Sequence, residues 1–230
     1  MKWTIRTALA AALVIVGSGY TAQASFFSYP RALTLQLDKI RFETPTLAPI
    51  AYTRFCLQYP DDCHAHSVIF RPPRPVVLTA ALLEDLIEVN RDVNRAIAPR
   101  EDAGTLLDER WILGPKAGAC HDYAVTKRHE LLTRGWPSRS LLLAEVVVPW
   151  GEHHLILVVR TSDGDLVLDN LNPGIKSWSR TPYKWVRVQS PGDPNIWSTV
   201  ARLPAPGKHV PNLADSISLL NSAAATLGKS

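Results

Sequence analysis

Three apolar runs between Leu141 and Leu168, parted by short polar breaks, constrain this chain more than any other feature. Leu141 to Val148 is nearly continuous and rich in valine, fit for a strand buried on both faces. Leu155 to Val159 is a second such run, and Leu166 to Leu168 is a third, short and partly alternating. The break before the third, Thr161-Ser162-Asp163-Gly164-Asp165, contains Asp-Gly, a strong hairpin signal. Tyr183 to Val188 reads as a further strand. Strands joined by such short connections pair antiparallel.

Upstream the apolar period changes from two to between three and four. Leu82, Leu86, Val89, Val93 and Ile97 lie along one face of a helix that starts near Thr79, a fitting N-cap, and stops before Pro99. A second helix runs from about Ala119 to Arg134, preceded by Gly118 and ended by Gly135 and Pro137. Helices first and an antiparallel sheet after them make an α+β fold. Residues 25–54, with Pro30, Pro45 and Pro49, read as irregular, and Arg71-Pro72-Pro73-Arg74-Pro75 reads as an extended connector. Leu213, Ile217, Leu220 and Ala224 keep helical spacing in a tail rich in Ala and Ser, which reads as a loosely attached helix.

The start of the chain reads as an export signal. Lys2 and Arg6 precede an apolar run, Ala8 to Val16, that is too short to span a bilayer comfortably. Ala22-Gln23-Ala24 is a small-x-small cleavage site, which makes Ser25 the first mature residue. The expected organisation is therefore a signal at 1–24, an N-terminal irregular region at 25–78, a catalytic core at 79–200 and a tail helix within 201–230. Losing Lys2 and Arg6 lowers the formal charge from +4 to about +2. No stripe of Lys and Arg remains, which argues against nucleic acid as a partner. No later segment is long and apolar enough for a membrane span.

Three cysteines in an exported chain leave one over when two pair. Cys56 and Cys63 are close in sequence, and Pro60 between them favours a turn, so these two are expected to form a disulfide. Cys120 is then the free thiol, and it opens the second helix. A thiolate there is favoured by the unpaired N–H groups and dipole of the helix start. The same N–H groups suit an oxyanion at an attacked carbonyl. Cysteine, histidine and aspartate in that chain order have the residue types of a nucleophile, its base and the base's orienter.

His153 and His154 both stand where the second apolar run begins, and adjacent strand residues face opposite sides. Position alone leaves the choice between them open. Asp169 ends the third run, and a hairpin brings it to the same end of the sheet. A two-residue turn at Asp163-Gly164 would set Asp169 opposite Val158, on the face of His154 but four positions away. That gap is roughly 13 Å, so a direct hydrogen bond needs a bulge, an asymmetric loop or strong coiling.

Several blocks stand in a fixed order along the chain. They are Val89-Asn90-Arg91-Asp92-Val93-Asn94, Cys120-x-Asp122-Tyr123-Ala124 with Lys127, Gly135-Trp136-Pro137, His154, and Gly164-Asp165-Leu166-Val167-Leu168-Asp169-Asn170. Over roughly Leu82 to Val188 the chain thereby resembles the bacterial transglutaminase-like cysteine proteinases. The resemblance implies a papain/transglutaminase-like fold, with the cysteine on a helix packed against an antiparallel sheet. It implies Cys120 as nucleophile, His154 rather than His153 as base, and Asp169 as orienter.

The best-known members of that family are calcium-dependent periplasmic proteases that clip surface adhesins. The resemblance therefore implies a periplasmic or secreted enzyme with a cell-surface or periplasmic protein as substrate. In those members acidic residues flanking the cysteine contribute to a calcium site. Here Ala119 and His121 stand at two such positions, which leaves Asp122 a weak calcium candidate and no cofactor expected. Asp122 also suits a cap on the helix's first turn. No histidine spacing matches a compact zinc set. Trp178 and Trp185 are candidates for lining a groove, and Asn170 and Asn172 are expected to satisfy loop backbone. The leading function is peptide-bond hydrolysis. The alternatives are transamidation through the same acyl-enzyme and a non-catalytic periplasmic binding module.

Overall fold

The computed structural model describes residues 39–64, 75–100 and 109–201. The expected signal at 1–24 and the tail helix expected at 212–227 lie outside the described residues. Strand β1 (Phe42–Thr46) and helix α1 (Ile50–Gln58) come first. Helix α2 (Ala80–Ala96) follows, then β2 (Ala98–Pro99), β3 (Ala117–Gly118) and helix α3 (Cys120–Thr133). The remaining strands are β4 (Leu141–Val147), β5 (His153–Thr161), β6 (Gly164–Leu168), β7 (Lys176–Ser177), β8 (Lys184–Gln189) and β9 (Trp197–Val200). Among the described residues, no helix is long and apolar enough to cross a membrane.

Seven strands form one antiparallel sheet in the order β1-β9-β8-β4-β5-β6-β7. Its centre is the long apolar pair β4 and β5, and both faces are covered. Leu141, Leu143, Leu155, Leu157 and Val159 pack with the helices, whereas Leu142, Ala144, Ile156 and Val158 pack with Trp178, Tyr183 and Val188. That division follows the two-residue period of a strand. Helix α2 is capped by Thr79, whose Oγ1 accepts the Leu82 N–H at 3.2 Å. Helix α3 packs on β5 and is buried nearly all round, as a central helix should be. Gly135, at φ 87°, ends it in the left-handed region open to glycine, and the N–H groups of Gly135 and Trp136 turn back onto Leu132 and Leu131.

Three features depart from the sequence reading. The stretch read as irregular holds β1 and α1. Pro45 is tolerated because β1 is an edge strand, and Pro49 stands at the N-cap of α1, where an N–H has no helical acceptor. The apolar face of α1, Ala51, Tyr52 and Phe55, enters the main core, and the expected Cys56–Cys63 disulfide ties its end to the following turn. The β5–β6 hairpin turns at Ser162-Asp163 rather than Asp163-Gly164, since Thr161 pairs with Gly164 and Leu157 with Leu168. Finally, Trp178 and Trp185, candidates for lining a groove, take part in packing. They meet edge to face at 5.4 Å between centroids, within the second core cluster.

Candidate active site

The shifted turn decides the local geometry. Extending the hairpin register by one position sets Asp169 beside Ile156, two places from His154 instead of four. Parity is unchanged, so both side chains keep one face of the sheet. His154 Nε2 lies 2.8 Å from Asp169 Oδ1. No bulge is needed, because Asp169 stands just past the end of β6 and its side chain reaches along the strand. The loop beyond is tied down from α2: Asn94 Nδ2 donates to the Asp169 carbonyl and Asn90 Nδ2 to that of Pro173, both at 2.9 Å.

Cys120 is the first residue of α3, and its sulfur accepts the Leu155 N–H at 3.5 Å. Burial alone would raise this thiol. Hydrogen bonds from His121 and His154 outweigh it and lower the thiol to about 6. For His154, burial disfavours the cation, but Asp169 and Cys120 raise it to about 9. Burial likewise opposes the Asp169 charge, yet the His154 bond leads its partners in lowering it to about 2. Around neutral pH the arrangement favours a thiolate, an imidazolium and a carboxylate. With Nε2 engaged by Asp169, Nδ1 is the His154 nitrogen left for the sulfur.

His153 is turned elsewhere. It lies 2.5 Å from Glu145 Oε1 and is largely exposed, and Glu145 also pairs with Arg187. Glu145, His153 and Arg187 line the same cleft as Cys120, a space of about 480 Å³ whose other walls include Ile50, Trp111 and Leu155.

Sequence reasoning missed several members of this cluster. Tyr183 donates its hydroxyl hydrogen to Asp169 Oδ2, a bond between residues on distant segments. Asn172 was expected to serve loop backbone, but its amide donates to Tyr183 Oη at 3.0 Å. Lys127 is buried in α3, and burial lowers it to about 7 against the pull of Asp169. Only Lys127 carried a signal, as a charged residue beside the Cys120 block. Periodicity gives no further sign of its burial, because α3 is buried nearly all round and has no single apolar stripe.

The profile of the family described as bacterial transglutaminase-like cysteine proteinase matches residues 42–203, well over half of the chain. The chain belongs to this family. It is therefore a transglutaminase-like cysteine peptidase with a mixed fold of helices and antiparallel sheet. Among solved structures it is similar to calcium-bound LapG from Legionella pneumophila, at 22% identity and TM-score 0.45, over 62% of this chain and 80% of that one. It is also similar to EGTA-treated LapG from the same organism, at 21% identity and TM-score 0.43, over 61% and 78%. No curated protein sequence matches the chain significantly.

The residues of this bacterial transglutaminase-like cysteine proteinase fit calcium poorly at the head of α3. Asp122 Oδ1 accepts the Ile112 N–H at 2.8 Å and Oδ2 the Ala119 N–H at 3.0 Å. The carboxylate is fully buried in that capping role, and a Cβ at Gly118 would collide with it. Ala119 and His121 bring no side-chain oxygen, whereas calcium asks for six or more oxygens. Among the described residues, no group of three or more His, Cys, Asp and Glu side chains is placed to hold a metal ion.

Proposed function

We propose that Cys120, His154 and Asp169 form the catalytic triad of an exported cysteine peptidase that cleaves a peptide bond in a cell-surface or periplasmic protein. The 2.8 Å contact between His154 and Asp169, with the Cys120 sulfur on the same imidazole, carries this reading. The thiolate attacks the scissile carbonyl carbon, and the N–H at the head of α3 receives the oxyanion. His154 then passes its proton to the leaving amine as the C–N bond breaks. A thioester remains on Cys120. Water, deprotonated by His154, adds to it and releases the carboxylic acid and the thiolate. Asp169 keeps the imidazole oriented and stabilises its charged form.

In this reading residues 1–24 are a cleaved export signal, supported by Lys2, Arg6, the Ala8–Val16 run and Ala22-Gln23-Ala24. The disulfide supports an oxidising compartment. Turnover needs both the thiolate and the imidazolium, so kcat/KM should rise with pH through about 6 and fall through about 9. The deciding experiment incubates the mature protein with a surface-protein extract and a labelled primary amine. New fragments without label, absent with Cys120→Ala, are expected. Label in uncut protein would replace hydrolysis with transamidation, and full activity in Cys120→Ala would remove Cys120 from its role.

A further inference from the structure

The Cys120 sulfur has a second imidazole that the triad does not use. His121 is the next residue of α3, it is buried, and it hydrogen-bonds the sulfur. Its Nδ1 lies 3.3 Å from Glu109 Oε1. Glu109 is itself fixed, since its Oε1 accepts the Trp111 indole N–H at 2.6 Å. The Trp111 ring lies 6.1 Å from the imidazole and within 16° of parallel, which limits how far the ring can swing. Glu109, Trp111, Cys120 and His121 all line the cleft. The sulfur is thus met by two imidazoles, each backed by a carboxylate: His154 by Asp169 and His121 by Glu109.

We propose that His121, held by Glu109, is a second cationic partner of the Cys120 sulfur and supports the thiolate alongside His154, both before attack and when the thioester is cleaved. The proposal rests on Cys120 being the nucleophile. In a simple cysteine–histidine pair, one imidazole both creates the thiolate and delivers the proton, so a single pKa has to serve two tasks. A second fixed cation separates the two tasks. His154 moves protons, while His121 remains charged through the cycle.

The charges facing His121 agree with that role. They are Glu109 from the loop before α3, Cys120 and Asp122 from α3 itself, and His154 from β5 across the sulfur. Arg100 acts on Asp122, and Glu145, His153 and Arg187 share the cleft. Burial opposes a charge on His121, but its bonds to Cys120 and Glu109 prevail and raise it to about 10. Its hydrogen bond with His121 heads the causes that lower Glu109.

Cys56 and Cys63 are joined, so iodoacetamide reports on Cys120 alone among the chain's cysteines. Alkylation rate against pH is measured on the mature protein and on His154→Gln, His121→Gln/His154→Gln and Glu109→Gln. His154→Gln should retain a depressed inflection and react about tenfold faster at pH 7 than the double variant, which corresponds to one pH unit. Glu109→Gln should move the wild-type inflection upward. Equal rates in His154→Gln and the double variant would overturn the proposal. If His154→Gln does not fold, a Glu109→Gln profile superimposed on wild type overturns it instead. An ordinary-cysteine inflection in the wild type would reject Cys120 as nucleophile, a separate failure visible before any variant is made.

Discussion

Strand β6 carries an aspartate at its start and another just past its end, and the two behave in opposite ways. Asp165 at the turn end is fully buried. Its Oδ2 accepts the Ile40 N–H at 2.7 Å and its Oδ1 the Arg160 guanidinium at 3.1 Å. Burial still dominates and pushes its pKa up. Asp169 at the cleft end is almost as buried, yet it is lowered to about 2. Three donors converge on it: His154, Tyr183 and the Leu171 N–H. The number of donors, rather than burial, separates a carboxylate that anchors an N-terminal segment from one that holds a catalytic-type imidazole.

Substituting each aspartate by alanine tests that contrast most strongly. Asp169→Ala should lower kcat by about 10²- to 10⁴-fold, the range for a disabled acid–base group. Asp165→Ala should leave kcat within about twofold while costing about 1–3 kcal/mol of stability through the stranded Ile40 N–H and Arg160. Initial rates and urea midpoints on both proteins suffice. Equal losses of activity would mean that the turn end feeds the site, and the contrast would fail.

Acid titration of stability is the next largest effect. The folded pKa of Asp169, about 2, lies below the unfolded value of about 3.9. Its contribution is present above pH 4 and is lost as pH falls through 2, on the order of 2 kcal/mol. Asp165 has a folded pKa above the unfolded value, so its contribution is present below pH 4 and is lost as pH rises through the folded pKa. Urea midpoints between pH 2 and 6 should therefore fall less steeply on the acid side in Asp169→Ala than in the wild type. A parallel fall in both would show that Asp169 is not held ionised.

Much of this architecture was legible because it is local. Thr79 and Gly135 bracket their helices by cap chemistry, and the alternation in β4 and β5 assigns residues to the two cores. The disulfide needed only short spacing and a turn. The hairpin was right in parity and wrong in register by two, since Thr161 hydrogen-bonds both the Asp163 N–H and the Gly164 carbonyl and so closes the turn one residue early. What stayed hidden is long-range. Nothing near Tyr183 or Glu109 announces a partner just past β6 or at the head of α3, and β1 and α1 were obscured by two prolines that an edge strand and an N-cap tolerate.

The smallest effect sharpens the comparison most finely, because it removes one donor from Asp169 and leaves the residue itself in place. Tyr183→Phe deletes the hydroxyl that donates to Oδ2, and the ring still stands edge-on to His154 at 6.0 Å. Asp169 then keeps two donors, the same number as Asp165. Its carboxylate should become easier to protonate and should hold the imidazolium less firmly. The alkaline limb of kcat/KM should move to lower pH, and kcat should drop about fivefold to tenfold, matching one hydrogen bond of about 1 kcal/mol. A shift of that limb separates loss of charge support from a packing defect, which would lower kcat at every pH alike. An unmoved limb would mean that His154 and Leu171 alone set the charge on Asp169. Donor number would then not be what distinguishes the two ends of β6.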